Sequence, residues 1–441
     1  MTGSYRSLLN PDDGVALNGA LDAFFGRELT LERGTLDSII LGLEAWGQAL
    51  GAELGQDLGL PFLKTWWRAS QLRSVLRHEF GEGDGLGPLD FREVIDERPW
   101  SPVGTVLHWP AANVPIQPFL SLTSGLLAGN RNIVRVPSTL TGFVRDVLAA
   151  APTAADPVLE RLLFVAFSHD RYDLASACAA RSDAAMIWGG HEAVASVKNL
   201  PFPHWARLQV FGPRVSVAMV LLDEQTLVQP AELQRLCRRV ARETWQFDQE
   251  ACSSPLALYL QVTTGAAAAG GGRRAAEQAF VQALAIAFEE EERAHPRNML
   301  DARTSVDIAL ARTNWLLDDQ EAKAIFPPGP AWTILYGGAV DRVPEPVHGK
   351  TLHVVSSANL ETVAARLDSS TQTIGVWIHE AALEANVARL SLSRGVDRVV
   401  RLGLMHVFNT PWDGHELVRP LCRKVHFVST RPSERSTDAR G

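Results

Sequence analysis

Apolar residues recur at three- to four-residue steps through the N-terminal part of the chain: Leu36, Ile39, Ile40, Leu43, Trp46 and Leu50 make one series, and Leu63, Trp66 and Trp67 with Val75 and Leu76 make another. That period places them on one face of a helix, so residues 1–95 are predicted as a helical region whose stripes are core. The run Gly81-Glu82-Gly83-Asp84-Gly85-Leu86-Gly87-Pro88 breaks the pattern and predicts a loop into the main domain, since glycine and proline support neither helix nor strand. From Val103 onward the pattern changes. Val103–His108, Asn132–Val136, Arg161–Phe167, Ala184–Trp188 and Val215–Leu222 are short β-rich runs separated by helix-length stretches, the rhythm of a parallel sheet covered on both faces. A second series follows Cys252, with strands at Leu256–Val262, Trp332–Tyr336, Leu352–Val355 and Thr373–Ile378 and helices around Ala275–Arg293 and Leu360–Leu367. The pattern therefore predicts two α/β domains, 96–245 and 246–405, a C-terminal segment, 406–441, and a junction near Thr244–Cys252.

The run from Gly265 to Gly272 is compositionally simple and reads as a surface linker, and the polar stretch after Thr430 reads as a frayed tail. The 441 residues are 46% hydrophobic and 21% charged, which fits a packed, enzyme-sized protein and not an extensively disordered one. Lys+Arg 42 against Asp+Glu 50 gives a net charge of −8, so bulk charge does not attract nucleic acid. No signal-length apolar segment opens the chain and no apolar run is long enough to span a bilayer. A cytoplasmic protein with no membrane span is expected, with membrane-surface contact left open. Cys178, Cys237, Cys252 and Cys422 form no CxxC pair, and the histidines, among them His108, His169, His191 and His204, show no metal-ligand spacing, so no metal is expected.

Two segments can carry chemistry. In Trp245-Gln246-Phe247-Asp248-Gln249-Glu250-Ala251-Cys252-Ser253-Ser254-Pro255 a cysteine follows a polar turn and precedes an apolar strand, a setting that presents a thiol in a cleft. By type alone a lone cysteine is usually a small buried hydrophobe, and Cys178, Cys237 and Cys422 keep that reading. In Gly104-Thr105-Val106-Leu107-His108-Trp109-Pro110-Ala111-Ala112-Asn113-Val114-Pro115 a strand ends in a proline-flanked turn. Asn113 is there either a turn former or an amide donor to an oxyanion on a thiol adduct. There is no GxGxxG fingerprint, while Gly189-Gly190 after a strand could admit a pyrophosphate.

The segments HWPAANVP, GLLAGNRNIVRVPS, WGGHEAV and FDQEACSSP, in that order from Val103 to Pro255, resemble the LuxC-type acyl-CoA reductases of the aldehyde dehydrogenase superfamily. NTPWDGHEL extends the likeness more loosely over Leu352–Asp413. The resemblance implies an aldehyde dehydrogenase-like fold: 96–245 as a Rossmann-like dinucleotide-binding domain and 246–405 as the catalytic domain. It also implies NADPH-dependent reduction of an acyl-CoA, or a related carrier thioester, to an aldehyde. Cys252 is then the nucleophile that forms an acyl-enzyme, and Asn113 the oxyanion donor. Arg135 and Ser138 fall at the superfamily's lysine and glutamate positions. Loss of the carboxylate favours NADPH, whose 2′-phosphate Arg135 could pair, and Gly189 and Gly190 complete the cofactor contacts.

Gln209 stands where hydrolytic relatives carry a glutamate base, so acyl transfer to a thiol should outrun hydrolysis. Glu345 is the nearest counterpart of a glutamate that holds the nicotinamide ribose, although a solvated loop residue is the more ordinary reading of it. The resemblance further implies a homo-oligomer and leaves room for an acyl-delivering partner protein. The alternative function is a Cys-dependent acyltransferase or thioesterase without nicotinamide chemistry.

Overall fold

The computed structural model describes residues 8–11, 13–29, 34–51, 54, 59–81, 100–296, 300–318, 322–337, 345–357 and 359–425. Of the loop expected at 81–88 only Gly81, which ends the helix Ala69–Phe80, is among them; the boundary at 95 and the tail after Thr430 lie outside the described residues. The chain forms two compact units. One comprises Met1–Gln56, Leu60–Gly212 and Phe408–Gly441, the other Asp57–Gly59 and Pro213–Val407.

The first unit contains β1 (Leu8–Leu9), β2 (Trp100–Pro102), β3 (Thr105–Trp109), β4 (Arg131–Val136), β5 (Leu162–Ala166), β6 (Ala184–Trp188) and β7 (Arg207–Phe211). Six of these pair in parallel in the order β1-β5-β4-β3-β6-β7. The chain runs outward from β3 through β4 and β5, then returns to lay β6 on the opposite side of β3. That is a doubly wound sheet with its reversal between β3 and β6. Strands β5 and β6 are buried at every position, which explains their unbroken apolar composition. One face packs on Leu17, Leu21 and Phe24 of the helix Gly14–Phe25 and on Leu174 and Cys178 of the helix Tyr172–Ala179.

Most of the predicted N-terminal stripes are core: Ile39, Ile40, Leu43, Trp46, Leu50, Leu63, Trp66, Trp67 and Val75 are buried, while Leu36 and Leu76 are half-buried. They belong to the same unit as the first sheet, and the Trp46 and Trp67 indoles donate to the Val147 carbonyl (2.8 Å) and the Thr123 hydroxyl (2.8 Å). His108 is an internal strut. Its Nε2 donates to Asn132 Oδ1 (3.0 Å) and its Nδ1 accepts from Ser121 Oγ (2.8 Å), while burial pushes its pKa down to about 4. Only glycine fits beside this network, since a Cβ at Gly125 would stand 1.9 Å from Asn132 Oδ1.

The second unit holds β8 (Val215–Leu222), β9 (Pro255–Val262), β10 (Lys323–Ile325), β11 (Thr333–Tyr336), β12 (Thr351–Ser356), β13 (Thr371–Trp377) and β14 (Arg398–Arg401). Their order is β10-β11-β12-β9-β8-β13-β14, parallel except for β10. Alternate residues of β8 and β9 serve two cores. Ala218, Val220, Leu258 and Leu260 pack on the helices Pro230–Trp245 and Arg273–Ala294, whereas Val217, Met219, Ala257 and Tyr259 pack toward Leu360 and Val387 on the other face. The segment 213–245, grouped with the first sheet on sequence pattern, sits in this second unit because β8 pairs with β9 and β13.

The run read as a linker is instead the helix Thr264–Ala269, capped by Thr263, with Ala266 fully buried. Four successive alanines behind an N-capping threonine outweigh the flanking glycines.

After Val407 the chain returns to the first unit, where β15 (Cys422–Lys424) pairs antiparallel with β2. Asn130 links the two ends of that unit: its Oδ1 accepts from Gly104 N (2.9 Å) and its Nδ2 donates to Leu421 O (3.0 Å). Glu79, buried at the end of the helix Ala69–Phe80, accepts from the backbone N–H groups of Leu417 (2.9 Å), Val418 (2.9 Å) and Arg419 (2.6 Å).

Candidate active site

Cys252 lies in the second unit, on the turn between the helix Pro230–Trp245 and β9, at the amino end of the sheet. The helix buries Leu236, Cys237, Val240, Ala241 and Trp245 at helical spacing and stops where Gln246 turns extended. Phe247, Asp248 and Gln249 follow with φ of 55°, 55° and 64°, three successive non-glycine residues in the left-handed region. Such a run costs about 1–2 kcal/mol per residue and persists only where surrounding contacts dictate it.

Those contacts come from a second left-handed run, His348, Gly349 and Lys350, with φ of 59°, 61° and 59°. His348 Nδ1 donates to Gln249 O (3.0 Å), and the buried Gln249 amide donates to Thr351 O (2.8 Å) and Pro255 O (2.9 Å) while accepting from Thr351 N (2.7 Å). Lys350 Nζ, also buried, stands 3.5 Å from Asp248 Oδ1 and 4.4 Å above the Trp245 ring. The two reversed turns thereby hold one another and deliver the chain to Cys252.

Beyond this brace the cysteine itself is anchored. Ser216 Oγ of β8 donates to Cys252 O (2.7 Å), and Ser254 N donates to Ala251 O (2.9 Å). Ser253 Oγ lies 2.9 Å from His406 Nδ1, whose Nε2 lies 2.9 Å from the Glu243 carbonyl and 3.3 Å from its carboxylate. Burial pushes His406 down to about 4 and Glu243 up to about 7. Cys252 is half-buried, whereas Cys178, Cys237 and Cys422 are buried thiols pushed up to about 12 by burial.

The other expected site residues sit in the first unit, at the carboxyl ends of its central strands. Asn113 is exposed on the turn after β3, which Gln117 Oε1 closes by accepting from Ala111 N (3.1 Å). Gly189 and Gly190 follow β6, with Gly190 at the N-cap of the helix His191–Lys198. A Cβ at Gly189 would meet Ala193 at 3.2 Å, and one at Gly190 would meet nothing within 4 Å.

Arg135, near the end of β4, is buried. Its guanidinium lies 4.9 Å from the Trp109 ring centroid, Nη2 donates to Phe167 O (3.1 Å) and Nε has no hydrogen-bond partner among the described residues. Burial pushes its pKa down to about 10, which leaves it cationic at neutral pH. Ser138 is exposed where β4 gives way to a short 3₁₀ turn. Asn113, Gly189 and Gly190 thus flank the reversal between β3 and β6, the place where open α/β sheets bind ligands, with Arg135 and Ser138 one strand along. Gln209 of β7 is buried, its amide donating to Glu416 O (2.6 Å), and Glu345 is exposed.

Sequence reasoning missed Glu243, Ser253 and His406, as well as Gln249 and Lys350. Ser253 and His406 are 153 positions apart, and neither lies in a motif with metal or triad spacing. Among the described residues, no cluster of three His, Cys, Asp or Glu side chains is arranged to hold a metal, and no helix is long and apolar enough to cross a membrane.

Three comparisons bear on this site. The family model described as acyl-CoA reductase (LuxC) matches residues 52–424. The long-chain acyl-protein thioester reductase of Vibrio harveyi is 26% identical over 345 residues, covering 74% of this chain and 64% of that protein. The protein of the same name from Photorhabdus luminescens is 25% identical over 339 residues, covering 75% and 65%. The chain therefore spans just under two thirds of the length of these curated relatives. Among solved structures, an NAD-dependent aldehyde dehydrogenase from Sinorhizobium meliloti matches with a TM-score of 0.65 at 14% identity, covering 97% of this chain and 89% of that one. A betaine aldehyde dehydrogenase from Staphylococcus aureus also gives 0.65, at 13% identity over 96% and 88%. The fold is that of the aldehyde dehydrogenases.

Proposed function

The chain belongs to the acyl-CoA reductase (LuxC) family, and from that premise we propose that it reduces a long-chain acyl thioester to the aldehyde with NADPH, through an acyl-enzyme on Cys252. One observation carries the reading: of four cysteines, Cys252 alone is half-buried, on a turn braced by two strained segments, while the others are sealed in the core. The Cys252 thiolate attacks the acyl carbonyl, the donor leaves as a thiolate, and the acyl group stays on sulfur as a thioester. Asn113 is the side-chain donor to the oxyanion. Gln209 cannot take a proton from water, which preserves the acyl-enzyme against hydrolysis. The names of the relatives suggest a protein-bound thioester as the donor, with coenzyme A thioesters as the chemically equivalent free form.

The residues at the first sheet's strand ends fit a nicotinamide dinucleotide. Arg135 has an orphaned buried Nε beside an aromatic face, and Gly190 leaves open space at a helix N-terminus. Arg135 and Ser138 would hold the adenosine 2′-phosphate, and Gly189–Gly190 the pyrophosphate. When bound, NADPH supplies the hydride that converts the acyl thioester to the aldehyde level.

The test is to mix the protein with palmitoyl-CoA and NADPH and follow cofactor absorbance, free thiol and aldehyde together. Equal amounts of all three support the reading. Thiol release without loss of NADPH would establish an acyltransferase or thioesterase instead.

Cofactor choice has its own test. Ser138 is exposed, so Ser138→Glu adds a carboxylate without disturbing the core, and it should weaken NADPH while sparing NADH. Arg135→Ala should cost NADPH about 1.5–3 kcal/mol, roughly tenfold to a hundredfold in affinity, and NADH far less. Fluorescence titration of both cofactors decides the matter, and equal losses in both would return Arg135 to a packing role.

A further inference from the structure

We propose that His406 is a positioning residue for the acylation step: held by Glu243, it acts through Ser253 to fix the backbone on which the Cys252 thiol is carried. The proposal rests on the reading of Cys252 as the nucleophile.

The hydrogen-bond network sets the direction of each bond. A carbonyl oxygen only accepts, so the contact between His406 Nε2 and Glu243 O (2.9 Å) puts the imidazole proton on Nε2. The Glu243 carboxylate, 3.3 Å from the same nitrogen, supports that tautomer, and it is itself held by Met405 N donating to Oε1 (2.9 Å). Nδ1 of the neutral ring then offers a lone pair, and the Ser253 hydroxyl stands 2.9 Å from it. Ser253 therefore donates to His406 and is locked in one rotamer.

The peptide between Cys252 and Ser253 is consequently pinned on both sides. Ser216 Oγ holds the Cys252 carbonyl (2.7 Å), and His406 holds the next side chain (2.9 Å). Ser216 Oγ in turn accepts from Thr373 N (3.2 Å), which ties the same point to the neighbouring strand β13. With that peptide fixed, the direction of the Cys252 Cα–Cβ bond, from which the thiol is carried, is fixed as well.

Burial separates this role from catalysis. Ser253 is 4% exposed and the His406 side chain 3%, so both are shielded from solvent and act through the backbone they hold. An apolar residue would fill that space without desolvating a serine, an imidazole and a carboxylate, so packing alone does not account for the chain of three. Its members come from the helix Pro230–Trp245, the nucleophile turn and the segment after β14, and they meet one residue from the thiol.

The experiment measures single-turnover transfer of radiolabelled palmitoyl-CoA onto the intact protein, alongside steady-state kcat and KM and the NADPH dissociation constant. Ser253→Ala and His406→Gln should each slow acylation about tenfold to a hundredfold, the loss expected from a misplacement of about 1 Å. KM and NADPH affinity should stay within about threefold of the unmodified protein. His406→Asn places an amide oxygen near the position of Nδ1 and should recover most of the rate, as should Ser253→Thr, which keeps the hydroxyl. Because His406 acts through Ser253, the double variant Ser253→Ala/His406→Gln should be no slower than the slower single variant.

Unmodified acylation rates in Ser253→Ala, or losses that multiply in the double variant, overturn the proposal. Should His406→Gln fail to fold, the Ser253→Ala and Ser253→Thr pair still decides. Label that attaches equally well to Cys252→Ala protein overturns the nucleophile assignment itself, an outcome distinct from label that needs Cys252 but ignores Ser253.

Discussion

Cys252→Ala is expected to lower acyl-thioester reduction by at least about a thousandfold, because loss of a covalent nucleophile removes the two-step path outright. The other thiols offer no substitute. With pKa values pushed up to about 12 by burial, Cys178, Cys237 and Cys422 are ionised at neutral pH to less than about one part in ten thousand, and no substrate reaches them. Alanine at any of these three should leave the chemistry within a few-fold of normal. NADPH binding by Cys252→Ala should be unchanged, since the cofactor contacts proposed above lie in the other unit. The measurement is NADPH consumption with acyl-CoA, backed by gel detection of radiolabelled acyl-protein. Label and turnover that persist in Cys252→Ala, or that vanish in Cys178→Ala, would sink the assignment.

Glu79→Ala should sharply lower stability. The carboxylate receives three backbone N–H groups, from Leu417, Val418 and Arg419, together with the Thr410 hydroxyl, all in a buried setting. Removing it strands those donors away from water, and each buried unsatisfied donor costs about 1–3 kcal/mol. Partial relaxation keeps the total below the sum, so a loss of about 3–5 kcal/mol is expected, comparable to breaking a buried ion pair. Glu79→Gln fills the same volume yet turns an NH₂ group toward backbone donors, so it should recover little. Urea denaturation followed by tryptophan fluorescence reads the effect. A Glu79→Gln protein as stable as the unmodified one would show that the clamp does not depend on charge.

Leu162–Ala166 and Ala184–Trp188 were legible in the first sheet because each is buried on both faces and so written as an unbroken apolar run, whereas the edge strands Leu8–Leu9 and Arg207–Phe211, one very short and the other partly exposed and polar, were not. The turn carrying Cys252 was legible for a local reason as well, lying between an amphipathic helix and an apolar strand. The unit boundary was not. Val215–Leu222 looks like the strands before it, and only its pairing with Pro255–Val262 and Thr371–Trp377 places it in the second sheet. The left-handed run at Phe247–Gln249 carries no glycine to announce it. Its support is a bond from Gln249 to Thr351, 102 positions away. His406 was invisible for the same reason: its partners are assembled by tertiary structure, so no window of sequence contains the motif. In the Gly265–Gly272 run the simple, small-residue composition points to a linker, whereas alanine propensity and the threonine cap make it a helix.

The return of the chain from Val407 into the first unit sets an order of events during synthesis. The second unit is essentially continuous from Pro213 to Val407, so all its strands have been made before the first unit receives its closing pieces. Glu79 emerges from the ribosome 338 residues ahead of Leu417, the first of its backbone partners. At about 5–20 residues per second that is a wait of about 20–70 s. By the later part of that wait, once β7 has been made, the carboxylate, the Asn130 amide and the unpaired edge of β2 are held open on a nascent chain whose doubly wound sheet is otherwise complete. Closure of the first unit is therefore a late event that follows the making of the turn that carries Cys252, and a chain released before Leu417 lacks the segment that seals it.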